Sequence, residues 1–293
     1  MHPALIGEIL DLNLKRMGSE RRNRTLRQEL SSSVSQRAEH NEEEEMTEHS
    51  FEKFIAAPWG NWLHPQGTIP VVGTFTLQPR GNRFWRVLRT LRYRRSLGGW
   101  TNNLGLPNPG IAIGLQKFDP VSQVLSVAEV EHGDYKKLAR EIPEDFPVEL
   151  NLSCPNLEKT LPWDDAEMFT RSGLSKRKWC IAKVGPLVRP EELEFLIEKL
   201  GFSQIHACNS LRVVVPHGTS MGSVSGPILV PYVLEIIELV RKHWPEVTVI
   251  AGGGIKNSQD VYRYLSAGAK HVSLGTVCFN PFKLNKLLRD DDY

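Results

Sequence analysis

Apolar and polar positions divide the chain near residue 50. From Phe51 onward, short runs rich in β-branched and aromatic residues alternate with amphipathic segments, the pattern of a parallel sheet joined by helical crossovers. The strand-like runs are residues 54–57, 70–77, 123–130, 148–153, 179–184, 204–208, 248–251 and 271–275. Helical periodicity falls between them at 134–142, 191–200, 231–243 and 258–267. In 231–243 the spacing puts Val233, Ile236, Ile237 and Val240 on one face. Pro190 and the pair Asn257–Ser258 are start signals, and Gly201 and Gly268 are stops. Eight strands in strict alternation over about 240 residues predict an α/β fold of the (β/α)8 TIM barrel type. This barrel is expected to span 51–293.

Residues 1–50 follow another rhythm. Leu5, Ile6, Ile9, Leu10, Leu12 and Leu14 line one side of a short first helix. After Lys15 the segment is charged and almost without aromatics, including the run Asn41-Glu42-Glu43-Glu44-Glu45. It reads as a charged N-terminal extension, helical or disordered.

Composition narrows the function classes. A formal net charge of +2 gives no strong pull toward nucleic acid or an anionic membrane. No apolar run reaches the roughly 20 residues of a transmembrane helix, nor does the first stretch suit a secretory signal. Cys154, Cys180, Cys208 and Cys278 are far apart, without a CxxC pair. They read as reduced thiols of a cytoplasmic protein, and no metal-ligand set is expected.

Chemistry collects at the strand ends. Ile250-Ala251-Gly252-Gly253-Gly254-Ile255 is an apolar strand running into three glycines and a helix, and His271-Val272-Ser273-Leu274-Gly275-Thr276 ends the next strand. Glycine lets backbone N–H groups approach an anion, and the turns after strands seven and eight form the common phosphate site of such barrels. Gly226, ending Gly222-Ser223-Val224-Ser225-Gly226, is a third contributor. Without a ligand these would be tight turns only. In Glu149-Leu150-Asn151-Leu152-Ser153-Cys154-Pro155-Asn156, polar residues crowd a strand's C-terminal end. Two amides there suit a planar, amide-rich ring, and a thiol lies between them.

That last segment resembles the dihydroorotate dehydrogenase family, whose fourth strand carries Asn-x-Ser-Cys/Ser-Pro-Asn. The likeness runs over about residues 54–288. It includes Gly73-Thr74-Phe75-Thr76, Arg80-Gly81-Asn82, the loop Asn102-Asn103-Leu104-Gly105-Leu106-Pro107-Asn108-Pro109-Gly110, Lys183, Asn209-Ser210, and the glycines of the phosphate turns. The resemblance implies an FMN-dependent oxidoreductase of pyrimidine biosynthesis that acts on a CH–CH group, converting dihydroorotate to orotate. Cys154 would be the catalytic base. Ala57, Thr74, Asn151, Lys183, Cys208, Gly226, Gly253, Gly254, Gly275 and Thr276 would hold FMN. Asn61, Asn102, Leu104, Gly105, Leu106, Asn151, Asn156, Asn209 and Ser210 would hold the substrate. An electron acceptor is implied (fumarate, a quinone, or NAD through a partner subunit), and a cysteine base points to the soluble group, whose members are commonly homodimers.

Two departures bear on the substrate. The family lysine that contacts substrate and flavin lies either before the Ser/Thr-x-Thr of strand two or after strand one. This chain has Gly73 at the first place and Pro58-Trp59-Gly60-Asn61 at the second. Asn61 is expected to supply hydrogen bonds there but no charge, and the span from Asn61 to Gly73 is short for a first barrel helix. Other readings therefore stay open: a flavin barrel acting on another dihydropyrimidine-like cyclic amide, or a non-catalytic flavin-binding paralogue.

Overall fold

The computed structural model describes residues 51–81, 90–153, 163–170, 177–214 and 221–290. The expectation for residues 1–50 falls outside this set, as do those for Cys154 and Asn156.

The barrel strands are β1 (Lys53–Ile55), β2 (Thr68–Phe75), β5 (Val124–Val127), β6 (Val148–Asn151), β7 (Cys180–Val184), β8 (Gln204–Ala207), β11 (Thr248–Gly252) and β12 (His271–Leu274). They close in the order β1-β12-β11-β8-β7-β6-β5-β2, every pair parallel. All eight runs read from the sequence lie in this barrel. Helix α1 (Ile111–Lys117) precedes β5, and α2 (Asp134–Glu141), α3 (Pro190–Glu194, continued by a π-helical turn Phe195–Lys199), α4 (Val230–His243) and α5 (Ser258–Ser266) follow barrel strands. Helix α6 (Pro281–Arg289) closes the described chain. The predicted face of α4 is buried at Val233, Ile236, Ile237 and Val240. Helix α5 starts as read, with the Asn257 side chain accepting from the Asp260 N–H. Strand β1 passes to β2 through only a 3-10 turn, Trp59–Asn61, as the short span foretold.

Strand alternation sorts the side chains. Ile55, Leu125, Leu150, Ala182, Ile205, Ala251 and Val272 join the large core beneath the helices. Phe54, Val71, Val124, Trp179, Ile181 and Ile250 form a second apolar cluster. Phe54 and Trp179 meet edge to face at 5.0 Å from strands on opposite sides of the ring, so this cluster fills the lumen.

The sequence reading missed one layer. Strands β3 (Arg92–Arg94), β4 (Gly99–Asn102), β9 (Leu211–Val214) and β10 (Met221–Ser225) form an antiparallel sheet in the order β3-β4-β10-β9. The stretch Gly222–Gly226, read as a third contributor to phosphate binding before α4, is thus largely strand β10. Only Gly226 lies in the turn, with φ 132°.

Candidate active site

Two residues beyond the apolar lumen layer, β5 and β7 place Ser126 and Lys183 inward, where Glu149 of β6 and His206 of β8 join them. Glu149 is fully buried, with Lys183 Nζ 3.4 Å from Oε1 and His206 Nδ1 2.6 Å from Oε2. Burial alone would raise the Glu149 carboxyl, but Lys183 and His206 beside it outweigh burial and hold it at about 2. Burial and then Lys183 lower His206, which favours the neutral ring. Because an ionised carboxylate only accepts, His206 carries its proton on Nδ1 and donates it to Glu149. The free Nε2 faces Gly252, where a Cβ would come within 2.9 Å of it.

This anion orders a hydrogen-bond chain. Ser126 Oγ donates to Glu149 Oε1 (3.0 Å), so Thr74 Oγ1 must donate to Ser126 (2.9 Å). Asn151 Nδ2 then donates to Thr74 (3.2 Å), and Asn209 Nδ2 to Asn151 Oδ1 (2.7 Å). Every donor points toward Glu149, which fixes both amides without reference to a ligand.

Above this layer opens a cavity of about 770 Å3. Sixteen of the residues read from the sequence line it: Ala57, Asn61, Thr74, Asn102, Leu104, Leu106, Asn151, Lys183, Cys208, Asn209, Ser210, Gly226, Gly253, Gly254, Gly275 and Thr276. Gly105 is adjacent in sequence but not in the lining. Cys154 and Asn156 lie outside the described residues. The other three cysteines are raised to about 12, chiefly by burial, so they remain thiols.

Glycine is required where the turns after β11 border the cavity. Gly253 and Gly254 have φ of 132° and 77°. A Cβ on Gly254 would lie 2.8 Å from Pro227 Cα and from Val230 Cγ2. Gly275 is different: its φ is −114°, and a Cβ would meet nothing closer than Ala56 at 4.0 Å.

Asn61 departs from its expected part. Its Oδ1 accepts from Gly73 N–H (2.9 Å), while Nδ2 donates to Gly73 C=O (2.8 Å) and Pro58 C=O (2.9 Å). The amide is consumed by the backbone of β2, so Asn61 borders the cavity as a structural clasp. Gly73 in turn has φ 114°, and a Cβ there would lie 2.5 Å from Ser126 O. A side chain at Gly73 cannot be accommodated without rebuilding β2, and a cation at Asn61 would come at the cost of the clasp. The lysines lining the cavity among the described residues are Lys117, exposed at the end of α1, and Lys183, paired with Glu149.

Several residues escaped the sequence reading. Glu149, Ser126, His206 and Ser273 carry the polar layer, and strand alternation was the signal that could have found them. Trp100 stacks on Phe279 at 4.2 Å as part of an aromatic wall. It sits on β4, which was not read as a strand.

The lining suits FMN. The close-packed glycine turns have the shape a phosphate would need, and the buried Asn102 Oδ1 and Ser273 Oγ lack hydrogen-bond partners among the described residues. Both residues line the cavity, ready for the polar edge of a ligand.

Comparison with known proteins agrees. The profile of the family described as Dihydroorotate dehydrogenase matches residues 62–290. The dihydroorotate dehydrogenase B (NAD(+)) catalytic subunit of Thermotoga maritima is 30% identical over 194 residues, covering 61% of this chain and 72% of that protein. Its namesake from Desulforamulus reducens is 28% identical over 253 residues, covering 78% and 81%. In three dimensions the fold matches the crystal structure of DHODH in complex with ferulenol from Eimeria tenella. That match has a TM-score of 0.65 at 17% identity, over 80% of this chain and 79% of that one. The chain belongs to the dihydroorotate dehydrogenase family of FMN-dependent oxidoreductases acting on CH–CH groups.

Proposed function

We propose that this chain oxidises the CH–CH bond of a dihydropyrimidine ring, with dihydroorotate the leading substrate. The observation that carries this reading is one cavity joining the glycine turns, Lys183 and the ordered amides of Asn151 and Asn209. The turns ending in Gly254 and Gly275 would hold the FMN phosphate, and Lys183 would put positive charge beside the flavin ring. FMN, when bound, would supply the hydride acceptor. Asn102, Asn151 and Asn209, with Ser210, would hold the pyrimidine amides flat, and the family motif adds Asn156 to them. Cys154, three residues after β6 in the sequence, would remove the ring proton, a task suited to a thiol whose pKa falls toward neutrality.

A second reading rests on the Asn61–Gly73 clasp, which leaves no buried, unpaired cation at the cavity among the described residues. A substrate without a carboxylate, an uncharged dihydropyrimidine, fits that wall better than a carboxylate that needs a charged partner. The names of these relatives include NAD(+) and "catalytic subunit", and we therefore take NAD(+), reached through a partner subunit, as the acceptor. Among the described residues no helix is long and apolar enough to cross a membrane.

Purified protein should carry about one FMN per chain. Gly275→Asp should abolish this, because it adds a carboxylate to open space without a clash. Comparing anaerobic flavin reduction by dihydroorotate and by dihydrouracil decides between the substrates. Faster reduction by dihydrouracil supports the uncharged class, and faster reduction by dihydroorotate excludes it. Protein that cannot be reconstituted with FMN refutes the function altogether.

A further inference from the structure

A second cluster of chemistry lies outside the cavity. Glu129 follows β5 in the turn that leads to α2, His132 comes three residues later, and Asp165 stands in the 3-10 helix Asp164–Phe169. Each offers a ligand atom, and these atoms lie within 4.8 Å of one another. A point equidistant from three atoms 4.8 Å apart is 4.8/√3, about 2.8 Å, from each, so slight inward movement reaches metal–oxygen and metal–nitrogen distances of roughly 2.0–2.4 Å.

Glu129 points to a missing ligand. It is only 4% exposed. Its Oε1 accepts N–H bonds from Gly133 (2.8 Å) and Asp134 (3.1 Å), while the buried Oε2 has no partner among the described residues. Leaving a buried carboxylate oxygen unpaired is costly, and native structures usually satisfy such atoms with water or an ion. His132 is exposed, which leaves the group open to solvent on one side. None of the three residues lines the active-site cavity.

We propose that Glu129, His132 and Asp165 bind a divalent transition-metal ion, with Zn2+ the best match to one imidazole and two carboxylates. Three protein ligands and an open side leave room for water on the metal. The ion ties the turn after β5 to the helix that begins at Asp164, two segments far apart in sequence. The sequence reading expected no metal because the ligands follow no compact spacing motif.

The test uses full-length protein with its flavin, stripped by a chelator and then titrated calorimetrically with Zn2+. One saturable site per chain is expected, with a rise in melting temperature on Zn2+ addition. His132→Ala, Asp165→Asn and Glu129→Gln should each weaken binding by about a hundredfold and abolish that rise, since even residues supporting metal ligands cost 10–100-fold. His243→Ala, an exposed histidine elsewhere, should change neither readout. Flavin content should be unaltered throughout. If Glu129→Gln fails to fold, the exposed His132→Ala still decides. No saturable binding, or binding that His132→Ala leaves intact, overturns the proposal.

Discussion

Two layers of one barrel lumen, two residues apart along β5 and β7, have opposite characters. The lower layer, with Phe54, Val71, Val124, Ile181 and Ile250, is apolar and closes on itself. The upper layer, with Ser126, Glu149, Lys183, His206 and Ser273, is polar and almost fully buried. Strand β7 shows the switch most compactly: Ile181 faces the apolar layer, and Lys183 pairs with Glu149. Packing the lower layer needs only volume. The upper layer needs partners for every group, because a buried ion pair contributes little net stability but is costly to break. A chain that keeps such a layer in place of aliphatic packing is holding charge where a ligand can use it, which fits the FMN chemistry of its family.

Breaking the upper layer should have the largest effect. Glu149→Gln leaves Lys183 buried without its counter-charge and should cost about 3–5 kcal/mol in chemical denaturation, with loss of bound flavin. The matching cut below, Ile181→Ala, should cost about 3 kcal/mol through its cavity while flavin per folded chain stays the same. If both variants lose flavin equally, the division between layers is wrong.

Acid sharpens the comparison further. His271, on the inward face of β12, is pushed down to about 4 by burial and by Lys270 and Lys178. Its unfolded form titrates near 6.5, so between about pH 6.5 and 4 the unfolded chain binds a proton that the folded chain refuses. Stability should fall across that window, His206 adding in the same direction. The Glu149 contribution is present above about pH 4.5 and is lost as pH drops toward 2. A denaturation midpoint that is flat from pH 7 to 4 would contradict this, and His271→Gln should shallow the slope. The smallest effect is expected at the clasp. Asn61→Ala removes the bonds to Gly73 and should cost about 1–2 kcal/mol while loosening the start of the cavity wall.

How much of this was legible follows from what each feature depends on. The eight barrel strands and the face of α4 were readable because parallel strands and amphipathic helices write their burial into local periodicity. Gly253 and Gly254 were readable because their backbone conformation needs glycine whatever surrounds them, whereas Gly275 was readable only from its place after the eighth strand. The antiparallel sheet was not, since β3, β4, β9 and β10 are short and strands β4 and β10, which pair across it, are far apart in sequence. Asn61 was misread because its amide answers to Gly73, a contact that only the closed barrel creates. Glu149 and His206 were passed over because each sits in an apolar run, where a lone polar residue gives no hint of its partner across the lumen.

The most direct test is the rate of anaerobic flavin reduction by the dihydropyrimidine in single turnover, for the unaltered chain and for Cys154→Ala with equal flavin content. The account predicts full bleaching of the unaltered protein and a loss of at least about a hundredfold in the variant, the share a positioned base usually supplies. Reduction of the variant at the unaltered rate would contradict the base assignment, and a flavin that no dihydropyrimidine reduces would contradict the dehydrogenase itself.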